Sequence, residues 1–279
     1  MPKIIHTLKA YWQNSKAVRK LYHNPLKKTG DVAVKDDLER QFYDAEALPW
    51  LKSFDPARFL YDEDEDMPLS HQHFYSLLAH LSGKRVLDIC CGYGITSVRC
   101  AKKGAQVTAI DISANMLAVA QKNVELNGAA DRVDLRSMSA HAMEFPDDSF
   151  DYIVGVGALH HLNLDTAGRE ISRVLKKGGS AIFLEPRTPF KWLFFVRSLF
   201  PQKCLESPGG GGLTDREIAA FAGHLDSYQV DYFMFLRKLS RLPFLARFAD
   251  RFDRYDRRLV TAIPLLRRLC WAVVLRFYK

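Results

Sequence analysis

Short apolar runs along this chain alternate with stretches whose apolar residues recur at helical spacing, and the clearest run is Val86 to Ile89. That strand passes through Asp88 into Cys90, Cys91, Gly92, Tyr93 and Gly94, a glycine-rich turn. From Ile95 to Lys103 apolar residues return at helical spacing, so the turn opens a helix. Gln106 to Ile110 reads as a second short strand ended by Asp111, and Ser113 to Met116 starts the next helix. A fourth strand leads into Gly155, Val156 and Gly157, a fifth spans Ser180 to Leu184, and a sixth spans Tyr228 to Phe235. Cys270 to Tyr278 is expected as the seventh strand, with a helix as the alternative.

The flanking segments read differently. Residues 1–82 are expected to form N-terminal helices, with Asp62 to Asp66 a solvated loop and Ser70 capping a helix that buries Phe74, Leu77, Leu78 and Leu81. Pro186 to Gly212 is too long for an ordinary connection and carries Phe190, Trp192, Phe194, Phe195, Phe200 and four consecutive glycines, which predicts a lid or substrate wall. Thr214 to Glu217 is a capping box that opens a helix. Residues 237–268 then form an insertion before the last strand. Within it Leu245, Phe248, Phe252 and Tyr255 recur at spacings of three or four, bordered by Arg247, Arg251, Arg254 and Arg258. Such a helix either lies on an anionic lipid surface or packs on the core with its arginines solvated or paired with Asp250, Asp253 and Asp256. The expected division is a helical cap over 1–82 and a main domain over 83–279, with insertions at about 186–213 and 237–268.

Two spaced glycines at a strand end let the backbone turn sharply and let a ligand approach where a Cβ would collide. A dinucleotide site would place a third glycine where Ser97 stands, so the pyrophosphate cradle is incomplete. Asp88, a negative charge inside the strand end, suits a cationic ligand better. Asp111, at the tip of the second strand, reads either as the acceptor of two ribose hydroxyls or as a helix N-cap.

At this point the chain resembles the class I S-adenosylmethionine-dependent methyltransferases, in particular their small-molecule group. The resemblance covers about Gly83 to Pro186 and rests on Val86 to Gly94, Val107 to Ser113, Phe145 to Asp151, Ala158 to Leu162, and Arg173 to Gly179. It implies a doubly wound, Rossmann-like α/β fold: seven mostly parallel strands with helices on both faces, here with an N-terminal helical leader and a C-terminal helical insertion. S-adenosylmethionine is the implied cofactor. Asp88 resembles the acid near its methionine end, Gly92 and Gly94 the close-approach backbone, and Asp111 the ribose ligand. Cys90, Tyr93 and Val156 belong to the same wall, and Ile112 and Met116 are positioned to pack on adenine. The family usually has an aspartate after the third strand that accepts from the adenine amino group. This chain has Ser139 there, followed by Ala140, so either the hydroxyl or nearby backbone groups substitute or cofactor affinity is weaker.

The reaction leaves the acceptor open. His160 and His161, just past the fourth strand, and Glu185, at the end of the fifth, are the candidate bases, each with a structural alternative. The implied activity is methyl transfer to a small apolar, aromatic or lipid-like acceptor. The alternatives are other chemistry on the same cofactor, or a membrane- or partner-binding protein with a vestigial site.

Composition changes this picture only at the ends. Residues 1–28 hold seven Lys/Arg and no acid, and residues 237–279 hold twelve Lys/Arg against three Asp, so the overall +8 leaves the middle at −8. The basic ends invite a nucleic-acid or a membrane reading. After the fourth strand the chain has neither the Asn/Asp-Pro-Pro-aromatic turn nor the Pro-Cys pair of nucleic-acid methyltransferases, which ranks nucleic acid below a small molecule. Five cysteines without a C-x-x-C pair argue against a disulfide framework and against a metal site. The N-terminus lacks the apolar stretch of a signal peptide and no run approaches about 20 apolar residues, so a reducing, cytoplasmic compartment is expected.

Overall fold

The computed structural model describes residues 31–63, 67–188, 211–236 and 243–279. Among the described residues, seven strands form one sheet in the order β3-β2-β1-β4-β5-β7-β6. In chain order the strands are β1 (Arg85–Ile89), β2 (Gln106–Asp111), β3 (Val133–Ser137), β4 (Phe150–Val156), β5 (Leu175–Pro186), β6 (Ser227–Phe233) and β7 (Ala272–Tyr278). The first five are parallel neighbours, whereas β7 runs antiparallel between β5 and β6. The seventh element is therefore a strand, and the doubly wound α/β architecture stands.

Side-chain alternation explains why both faces are covered. Along β5, Ala181 and Phe183 join one apolar cluster while Ile182 and Leu184 join another, and along β7 Val273 and Leu275 alternate with Val274 in the same way. The period of two sends successive residues to opposite faces. On the first face α5 (Leu164–Val174) contributes Ala167, Ile171 and Val174, and α6 (Asp215–Ala222) contributes Ile218 and Phe221. On the second, α2 (Leu69–Ser76) and α3 (Ile95–Lys102) contribute Phe74, Tyr75, Val98 and Cys100. Thr214 makes the expected capping box with Glu217 at the start of α6.

One flanking expectation changes. Ser70 does not cap α2: Pro68 occupies the cap position without a side-chain hydrogen bond, and Ser70 lies buried inside the helix. Proline is favoured where a helix starts because its missing N–H would have no intrahelical acceptor. The remote Asp253 instead accepts from the Leu69 N–H at 3.4 Å. In α7 (Ala249–Ala262) Asp253 and Asp256 are buried and each accepts from a backbone N–H outside the helix, Leu69 and Leu236. The aromatic stretch 189–200, the glycines at 209 and 210, the acids at 64–66 and the basic residues 1–28 lie outside the described residues.

Helix α1 (Val32–Lys52) starts at Asp31, whose side chain accepts from the Ala33 N–H. It packs on α4 (Ala114–Leu126) through Ala47 against Met116 and Val119. Asp44 strengthens this contact, accepting from the Ser113 hydroxyl at 2.6 Å and the Asn115 N–H at 3.2 Å. The leader is thereby fastened across the carboxyl ends of the parallel strands. The strand order reverses between β1 and β4, the place where doubly wound sheets open a crevice for ligands.

Candidate functional site

The crevice holds a cavity of about 560 Å³, within the range of small-molecule sites. Its floor is the turn after β1. Gly92 and Gly94 both adopt left-handed backbone, with φ of +52° and +72°. Their reasons differ. A Cβ on Gly92 would meet nothing within 4 Å, so that backbone borders open space, whereas a Cβ on Gly94 would lie 3.1 Å from the Ala120 Cβ. Gly92 lines the cavity; Gly94 lets α3 begin close against α4.

Asp111 joins this turn to β2. Its Oδ2 accepts from the Gly92 N–H and its Oδ1 from the Ser113 N–H, both at 2.9 Å. The N-cap of α4 is Ser113, whose hydroxyl accepts from the Met116 N–H, so Asp111 is not the capping residue. A carboxylate has about four acceptor positions. Acceptor capacity remains for a ligand at the cavity wall that Asp111 forms. Burial pushes its pKa up against the downward pull of those backbone hydrogen bonds.

Asp88 does not line the cavity. It is 1% exposed and accepts from the Ser97 hydroxyl at 2.6 Å, which ties the end of β1 to the first turn of α3. Burial, outweighing the Ser97 hydrogen bond, pushes its pKa up to about 7. Cys90 and Tyr93 do form cavity wall, as do Ile112, Met116, Ser139, Ala140 and Val156. Burial raises the Cys90 thiol well above its ordinary range, so it behaves as a small apolar side chain there.

The three candidate bases separate. Glu185 is 1% exposed and fully engaged: Oε1 accepts from the Ala158 and Leu159 N–H groups at 2.8 and 2.7 Å, and Oε2 meets His160 Nδ1 at 2.8 Å. Glu185 and His160 thus build the turn after β4 and do not line the cavity. His161 does line it, with Nε2 3.0 Å from the Tyr43 hydroxyl and Nδ1 3.4 Å from a Glu39 carboxylate oxygen.

Helix α1 supplies what the sequence reading left out. Asp36, Glu39, Tyr43 and Glu46 all line the cavity, at spacings of three, four and three. That spacing gives one helical face, and a polar face on a leader helix ordinarily points at water. Ser139 sits under Asp36: its hydroxyl donates to Oδ2 at 2.5 Å, while His141 Nδ1 meets Oδ1 at 2.8 Å. Burial pushes the Asp36 carboxyl up, but hydrogen bonds from His141 and Ser139 outweigh it and hold the pKa below the ordinary value. Opposite these acids stands Arg99, stacked 5.2 and 5.0 Å from the Tyr61 and Tyr75 rings. Carboxyl groups outnumber this guanidinium around the cavity, an arrangement that favours a cationic ligand.

Residues 86–179 match the family model for a methyltransferase domain. That match takes in β1 to β4, the helices between them and the start of β5. The chain is similar to a sterol 24-C-methyltransferase of Gibberella zeae, 32% identical over 61% of this chain and 46% of that protein. It is also similar to the demethylmenaquinone methyltransferase of Bacillus subtilis, 33% identical over 41% of this chain and 52% of that protein. The chain thus spans about half the length of the curated relatives it matches. In fold it resembles the solved geranyl diphosphate C-methyltransferase of Streptomyces coelicolor A3(2), with a TM-score of 0.58 and 14% identity over 91% of this chain and 100% of that one. Among the described residues, no three or more His, Cys, Asp and Glu side chains are grouped to hold a metal ion.

Proposed function

We propose that this protein transfers the methyl group of S-adenosylmethionine to a small, apolar, lipid-like acceptor. The observation that carries the reading is the joined Gly92–Asp111 wall, with open space over Gly92 and acceptor capacity left on Asp111. A ribose diol fits those acceptors, and Ile112 and Met116 offer an apolar wall to a base. The Asp36 carboxylate, beside Ser139, is the acceptor for an exocyclic amino group. When bound, the cofactor supplies an electrophilic methyl carbon next to a sulfonium.

The protein's own part is positioning, with a place for a proton. Holding donor and acceptor in line supplies much of the rate in such a displacement. Val156, Gly157, Leu162 and Met138 give the cavity an apolar stretch that excludes water from the acceptor. His161 is the group that takes a proton from the acceptor, at Nε2 once the acceptor displaces the Tyr43 hydroxyl from it, with Glu39 beside Nδ1. The names of the curated relatives, a sterol and a demethylmenaquinone methyltransferase, support an acceptor with a large apolar body.

Calorimetric titration with S-adenosylhomocysteine, followed by product mass spectrometry on candidate sterols, quinones and prenyl compounds, tests the reading. Binding plus a gain of one methyl group supports it. Absence of binding refutes it, and binding with a product of unchanged mass points to other chemistry in the same site.

A further inference from the structure

The end of α7 and the 3-10 turn that follows it, Pro264–Leu269, present large apolar side chains outward. Ile263 is 48% exposed, Leu265 65%, Leu269 36% and Tyr255 54%. The turn is held from within by a buried arginine. Arg187 donates through Nη1 to the carbonyls of Arg267, Arg268 and Cys270 at 3.3, 3.1 and 3.1 Å, while Nε and Nη2 engage Asp215. Three backbone carbonyls fixed on one guanidinium give the turn a definite shape, with its aliphatic side chains facing solvent.

Charge on the same face is sorted by depth. Asp256 accepts from the Leu236 N–H at 2.6 Å and Asp253 from the Leu69 N–H, so both acids are used inside. Arg254, Arg257, Arg258, Arg267 and Arg268 are all exposed. Outward arginines therefore surround an aliphatic tip. The turn leads into Ala272, which pairs with Pro186 at the carboxyl end of β5, so it lies at the end of the sheet that carries the cavity.

We propose that this face docks on an anionic lipid bilayer, with Ile263, Leu265 and Leu269 entering the headgroup region and the arginines meeting lipid phosphates. Exposed aliphatic area gains from partial burial in lipid, and each arginine near an anionic surface contributes on the order of 1 kcal/mol. A nucleic-acid surface would satisfy the arginines and leave the aliphatic tip in water, since sequence-independent strand binding relies on aromatic stacking. Docking here brings that end of the sheet to the membrane, where a lipid-like acceptor is concentrated; this consequence rests on the proposed function, whereas the docking itself does not.

The test is flotation of the full-length protein with phosphatidylcholine vesicles, with and without phosphatidylglycerol, at low and high salt. Binding is expected only to the phosphatidylglycerol vesicles, and it weakens with salt. The doubly substituted Arg267→Ala/Arg268→Ala protein should partition about 25-fold less well, about fivefold for each arginine. Ile263→Ser/Leu265→Ser should lower partitioning at both salt concentrations. Circular dichroism melts confirm that both variants fold. Equal binding to neutral vesicles, unchanged partitioning of the variants, or binding to transfer RNA without binding to vesicles overturns the proposal. Calorimetry with S-adenosylhomocysteine on the same samples separates the two readings: loss of vesicle binding with retained S-adenosylhomocysteine binding removes the docking alone, and the reverse removes the methyltransferase reading alone.

Discussion

Asp36→Asn should cost the protein its preference for a 6-amino purine. In the native site each Asp36 oxygen already meets one donor, Ser139 at 2.5 Å and His141 at 2.8 Å, which leaves acceptor capacity on both. A hydrogen bond to a charged acceptor contributes about 1.5–3 kcal/mol, or roughly 10- to 150-fold in affinity. The amide keeps the shape but not the charge, so S-adenosylhomocysteine should bind the variant at least about 10-fold more weakly. Its 6-oxo counterpart, S-inosylhomocysteine, should bind the variant and the native protein alike. The pH dependence follows from the lowered Asp36 pKa. A carboxylate with a depressed pKa keeps its charge above its unfolded value, and its contribution is lost as pH falls through the lower, folded value. The Asp36 share of affinity should therefore survive at pH values where an ordinary aspartate is half protonated. Returning the acid to the loop, in Asp36→Ser/Ser139→Asp, should restore most of the discrimination. Titration calorimetry with the two ligands decides the matter. An unchanged ratio of affinities in Asp36→Asn would refute the assignment of the amino-group acceptor, even if absolute affinity changed.

Three further outcomes follow from the same geometry. Gly94→Ala should destabilise the fold by about 1–2 kcal/mol in chemical denaturation, because a Cβ is disfavoured in left-handed backbone and also crowds Ala120; Gly92→Ala carries the same left-handed cost without the crowding and should in addition weaken S-adenosylhomocysteine binding, because its Cβ would enter the cavity. The raised Asp88 pKa means that native protein binds the proton more tightly than unfolded chain, so its contribution to stability is complete below about pH 4. It is lost as pH rises through about 7, and Asp88→Asn should flatten that decline in urea midpoints measured from pH 4 to 8. His161→Gln should lower kcat about 10²-fold or more with cofactor affinity nearly unchanged, whereas Glu185→Gln should act mainly on stability, and the reverse pattern would exchange their roles.

What could be read from the chain follows from how local each cause is. The turn after β1, the Asp111 terminus of β2 and the capping box at Thr214 are written in adjacent residues, because backbone sterics and short hydrogen bonds decide them. The seventh strand was ambiguous in isolation, since its arginine and aromatic content suits a helix or a strand; pairing with β5 and β6 on both edges decides it. For Glu185 the sequence leaves two roles open, a base or a carboxylate that binds loop backbone. In the structure it is buried and holds two N–H groups of the next turn, a long-range partnership that spacing does not reveal.

The same distinction explains why Ser139 looked like a defect. Read within its own loop, a serine where a carboxylate is expected suggests a weakened base pocket. Asp36 lies 103 positions away, yet its carboxylate stands within hydrogen-bond distance of that hydroxyl. The serine is small and donates, so it orients an acid arriving from α1; an aspartate at 139 would repel that acid at the same distance. In the proposed function Ser139 and Asp36 form one acceptor divided between two elements. That division has a consequence for binding: an amino-purine can complete its contacts only while α1 lies across the strand ends, so cofactor affinity and leader docking are coupled. Asp44, which fastens α1 to the start of α4, should then lower S-adenosylhomocysteine affinity when changed to Ala although it does not line the cavity. Coupling by linkage is reciprocal, so saturating ligand should in turn protect α1 from proteolysis.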